Sequence, residues 1–122
     1  MNTLARRFGS WLGRWLSQPH HSHGTSLPTR RDLLANTLQP GDVLLVEGET
    51  RVSTAIKYLT QSTWSHTALY IGDAAGRNGP SGSPLCFVEA DITEGVRLVE
   101  LSNFDGLHCR ICRPVGITDE DR

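Results

Sequence analysis

Lysine is nearly missing from this chain of 122 residues: Lys57 is the only one, and arginine supplies the other cationic side chains. The formal net charge is -1. No cationic excess is available to draw in a phosphate backbone, so a nucleic-acid partner is not expected. Cysteine is scarce and odd in number, at three. That argues against a disulfide framework and for a reducing compartment, so the expected location is cytoplasmic. No apolar run approaches the roughly 20 residues that a membrane-spanning helix needs. Residues 73–84 hold Gly76, Gly79 and Gly82, but no Gly-Lys-Ser/Thr follows. They make a surface loop rather than a phosphate cradle, and no cofactor is expected. The length admits one domain at most.

What the chain does hold is a strand signal at Trp64-Ser65-His66-Thr67-Ala68-Leu69-Tyr70-Ile71, closed by Gly72-Asp73. Side chains alternate across a strand. His66, Ala68 and Tyr70 therefore share one face, and Thr67, Leu69 and Ile71 the other, which reads as the better core face. An imidazole fixed on a strand can serve as a general base near neutral pH. It can equally be a half-buried polar residue with one hydrogen-bond partner.

Residues 1–17 form a helical pattern in which Leu4, Phe8, Trp11, Leu12, Trp15 and Leu16 make one apolar stripe, and Arg6, Arg7 and Arg14 are the only charges. Arg14 interrupts the apolar run, so no secretory signal is read. Two readings stand: a helix lying in an anionic membrane surface, or a helix packed on its own domain or a partner. Residues 18–28 form a linker with His20, His21 and His23. No carboxylate or Cys stands near them, so no metal site is expected. Thr29 is a candidate helix cap with Asp32 three positions on. Asp42 to Val46 is a near-continuous apolar run, as in a strand buried on both faces. Val52, Ala55, Ile56 and Leu59 predict an amphipathic helix over 51–61. Leu85–Ala90 and Val96–Leu101 read as a hairpin, and His108–Val115 as a last strand. On a strand, Cys109 and Cys112 point to opposite faces and cannot share an ion. The same alternation sets Cys86 and Glu89 apart. Thr118-Asp119-Glu120-Asp121 carries the chemistry of a helix start.

The order Pro40-Gly41-Asp42-Val43-Leu44-Leu45-Val46, a helix, Trp64-Ser65-His66-Thr67-Ala68-Leu69-Tyr70-Ile71-Gly72, Phe87-Val88-Glu89-Ala90 and Gly95-Val96 resembles the bacterial YiiX-like hydrolases. These are circularly permuted relatives of the NlpC-type and papain-like cysteine hydrolases, a group that includes lecithin retinol acyltransferase. The resemblance covers roughly Leu38 to Val115. It implies an α+β fold, an antiparallel sheet with flanking helices, corresponding to the N-terminal part of a permuted papain-like domain over residues 29–122. It also implies that His66 is the catalytic histidine and Glu89 its orienting residue. The nucleophilic Cys of the family has no match, which suggests a domain cut short before it.

In a complete site a thiolate would attack an amide or ester carbonyl, and His66 would protonate the leaving group. Glu89 has a plainer explanation as well, a surface contact with Arg97 across the hairpin worth under ~1 kcal/mol. Ser65 is a candidate for the substrate region by adjacency alone. Three functions follow. One is an incomplete cysteine hydrolase or acyltransferase acting on a peptide, a cell-wall amide or a lipid acyl group. The second is a non-catalytic peptide- or lipid-binding module, and the third a membrane-surface adaptor. On the first reading this chain alone is expected not to hydrolyse amides or esters by a cysteine mechanism.

Overall fold

A computed structural model describes residues 2–18 and 27–122. His20, His21 and His23 lie outside the described residues. The order is α1 (Thr3–Leu16), α2 (Arg31–Thr37), β1 (Val43–Glu47), α3 (Arg51–Thr60), β2 (His66–Tyr70), β3 (Leu85–Asp91), β4 (Gly95–Glu100) and β5 (His108–Cys112). Short 3₁₀ turns follow at Leu101–Phe104 and Asp119–Asp121. The fold is α+β. The five strands form one antiparallel sheet in the order β4-β3-β2-β1-β5.

One face of the sheet is covered, and it is the face that carries His66. Leu44 pairs with Ala68 and Ile111, Val46 with His66 and Cys109, and Tyr70 with Phe87. Leu44, Val46, Ala68, Phe87, Val99 and Cys109 are buried there with Leu34 and Phe104. This reverses the expectation that Thr67, Leu69 and Ile71 face the core: Thr67 and Leu69 are exposed. Both faces of β2 carry one large apolar residue and a polar one, so hydrophobicity could not decide between them. Aromatic packing does. Phe87 sits 5.2 Å from Tyr70 and 5.0 Å, edge-on, from Phe104. For the same reason β1 is not sealed on both sides. Leu44 and Val46 are buried, while Val43 and Leu45 on the other face are only half-buried.

Thr29 does not cap α2. Its hydroxyl donates to the Cys109 carbonyl at 3.1 Å and accepts from the Cys109 amide at 2.8 Å, extending the β5 edge. The residue before α2 is Arg30, with no side-chain cap bond. Thr50 does cap α3, accepting from the Ser53 amide. Gln61 closes that helix in the left-handed region, at φ 53°. Thr118 and Asp121 form a capping box, but over a single 3₁₀ turn.

A candidate functional site at the His66–Glu89 pair

Ala68 is the cross-strand partner of Glu89. His66, two residues along the same face, is therefore the diagonal neighbour of Glu89, within reach of a long side chain. The two meet at 2.6 Å between His66 Nε2 and Glu89 Oε2. The two residues that the resemblance pairs therefore lie on neighbouring antiparallel strands with their side chains on one face.

Glu89 is not a surface residue. Its side chain is 6% exposed, and it bonds both candidate partners at once. Arg97, its cross-strand partner on β4, donates from Nε to Glu89 Oε1 at 2.9 Å. The expected surface contact with Arg97 is thus buried on the Glu89 side and half-buried on the Arg97 side, and it coexists with the bond to His66. Burial pushes the Glu89 carboxyl up, but the hydrogen bonds and charges of His66 and Arg97 more than offset it and leave it below its ordinary value. Glu89 is then a carboxylate at neutral pH, able only to accept, so His66 Nε2 must carry the proton. In the neutral form of the ring, Nδ1 is then the nitrogen with the lone pair.

His66 and Glu89 line a cavity of about 460 Å³ shared with Ser53, Ser65, Arg97 and Asn103. Its floor is the sheet and one wall is the first turn of α3. Ser65 has a structural task there: its Oγ accepts the Gly48 amide at 2.9 Å. Ser53 is a residue that sequence reasoning missed. It is buried, and the only cue was its place three residues past the Thr50 cap. Gly48 lets Ser53 and Ser65 approach. A Cβ on Gly48 would lie 2.2 Å from Ser53 Oγ and 2.9 Å from Ser53 Cβ. Gly48→Ala is expected to cost about 1–3 kcal/mol through overpacking and to narrow the cavity wall. Denaturant unfolding, with the slope unchanged, checks the first.

Among the described residues no cysteine stands beside His66. Cys109 shares its face but lies on β5, with β1 between, about 10 Å away at ordinary strand spacing. Burial pushes the Cys109 thiol up to about 11. Burial also raises Cys86. The register shift between Leu85 and Phe87 breaks the alternation expected to set Cys86 opposite Glu89, and Cys86 joins the buried cluster. Cys112 is exposed, on the opposite face of β5 from Cys109. Among the described residues no group of three or more His, Cys, Asp or Glu could hold a metal ion. None of their helices is long and apolar enough to cross a membrane. No protein-family model, curated protein or solved structure matches this chain.

Proposed function

We propose that this chain carries the base and orienting residue of an acyl-transfer site of the permuted papain-like, YiiX-like kind, acting on a peptide, a cell-wall amide or a lipid acyl ester in the cytoplasm. The observation that carries the reading is the 2.6 Å bond from the His66 imidazole to a buried carboxylate at a cavity wall. Such a carboxylate fixes the tautomer and stabilises the imidazolium as it forms. The thiol is not among the described residues near His66, and this chain alone is inactive on this reading.

A supplied thiol tests it. With an activated aryl ester and a small alkyl thiol, His66 Nδ1 takes the thiol proton and the sulfur bonds to the carbonyl carbon. The ester C–O bond then breaks, and the leaving oxygen takes the proton. General-base assistance is worth on the order of 10²-fold. The expected result is thiol-dependent transfer that saturates in ester, falls on the order of 10²-fold in His66→Ala, and falls in kcat more than in KM in Glu89→Gln. Equal rates for the intact chain and His66→Ala would overturn the proposal. A second reading, a binding module without turnover, is favoured by the absence of a neighbouring thiol. Saturable ligand binding with no His66-dependent transfer would select it.

A further inference from the structure

α1 touches the rest of the protein by its C-terminal end and by one side. Gly13 is its one buried residue. A Cβ there would lie 3.5 Å from Thr93 Cγ2 and 3.9 Å from the Ile92 carbonyl, at the β3–β4 turn. Leu12 and Leu16, near Gly13 on the helix, are half-buried. The expected single stripe is therefore divided. Leu12 and Leu16 turn toward the domain, while Leu4, Phe8, Trp11 and Trp15 remain 73%, 61%, 54% and 43% exposed. Those four recur at spacings of four, three and four, so they form one outward ridge. Trp15 also lies under the Arg51 guanidinium, 4.5 Å from its ring centroid.

Beside the ridge runs a groove of about 590 Å³ lined by Thr3, Arg6, Arg7, Ser10, Trp11 and Arg14. None of the three arginines has an ion pair among the described residues, and α1 holds no acidic residue. An aromatic ridge alone would suit any apolar partner. Three unpaired guanidiniums along its border favour a partner that is anionic over a broad area and apolar just beneath.

We infer that α1 docks on an anionic phospholipid surface, with Leu4, Phe8, Trp11 and Trp15 entering the acyl boundary and Arg7 and Arg14 meeting lipid phosphates. Ser17, one residue past the helix, lines the His66 cavity, so docking holds that cavity beside the bilayer. The inference does not depend on chemistry at His66.

The test uses the full chain with Trp64→Phe, so that emission comes from Trp11 and Trp15. Phosphatidylcholine vesicles with and without phosphatidylserine, carrying brominated acyl chains, are the probe. The expected result is a blue shift and bromine quenching with phosphatidylserine, weakening as salt is raised. Arg7→Glu with Arg14→Glu should lower the partition on the order of 10²-fold, since each basic residue near such a surface contributes roughly fivefold and reversing its charge adds repulsion. Both positions are exposed, so an unchanged unfolding midpoint shows that the fold is kept. Equal partition of the double variant, or binding without quenching, overturns the inference. So does a concentration-dependent dimer that dissociates in Trp11→Ala and ignores vesicles, because a second copy would then cover the ridge.

Discussion

Replacing Asp42 by alanine is expected to lower the unfolding free energy by about 1.5–3 kcal/mol, the range for hydrogen bonds to a charged group, because the Arg113 left behind is exposed and keeps its hydration. Asp42 is 0% exposed, although it stands at the start of β1. Its carboxylate is saturated: Arg113 Nε donates to Oδ1 at 2.9 Å, Arg113 Nη2 to Oδ2 at 2.8 Å, and the Gln39 amide to Oδ2 at 2.8 Å. The same guanidinium reaches the Thr37 carbonyl at the end of α2. One residue thus ties together the end of α2, the start of β1 and the segment after β5. The Arg113 hydrogen bonds hold the Asp42 carboxyl below its ordinary value of 3.8. Glu89 is likewise below its ordinary value of 4.5. For a carboxyl depressed on folding, the unfolded chain binds protons first, so the stability it contributes is present above the unfolded value and drains away as pH falls. The intact chain should therefore lose stability as pH drops from about 5, and Asp42→Ala should lose less over the same interval. Urea unfolding at a series of pH values measures both. A variant that unfolds at the intact chain's midpoint would show that Arg113 and Gln39 find equivalent partners without Asp42.

Phe87→Ala should cost more, about 3–5 kcal/mol. Phe87 is fully buried and touches Tyr70 on β2 and Phe104 on the turn after β4. The expected fall in the thermal midpoint is roughly 10–20 °C. Glu89 lies two residues further along the same face, so the cavity left by the ring also loosens the strand that aims the carboxylate at His66. A Phe87→Leu variant, which keeps more of the volume, should recover most of the midpoint.

Much of the fold could be read from the chain because its cues are local. Val52, Ala55, Ile56 and Leu59 mark α3, although Ala55 and Leu59 stay exposed and Ser53 is its buried residue; Gly72-Asp73 closes β2, and the spacing of the apolar segments gives the hairpin. The expected pairing of His66 with Glu89 rested on their places in successive strands and on the order of the family that the chain resembles. What escaped depends on partners distant in the chain. The Asp42–Arg113 pair spans 71 residues, and Thr29 reaches Cys109 across 80. No periodicity announces such contacts. The choice of buried face on β2 turned on Phe87 and Phe104, which lie outside the strand in question. Ser53 entered the site through the width of Gly48, a negative feature that only three-dimensional packing reveals.

The face of the sheet opposite His66 has Val43 paired with Leu69, Leu69 with Val88, and Val88 with Leu98. Leu69 and Val96 on it are 44% and 77% exposed. Dyes that brighten on apolar surface are ordinarily used to detect loosened, partly folded states. Here the folded protein already offers them a continuous apolar sheet. Such a dye is expected to bind the native chain, so that its signal starts high and rises less through the melt than for a protein without such a face.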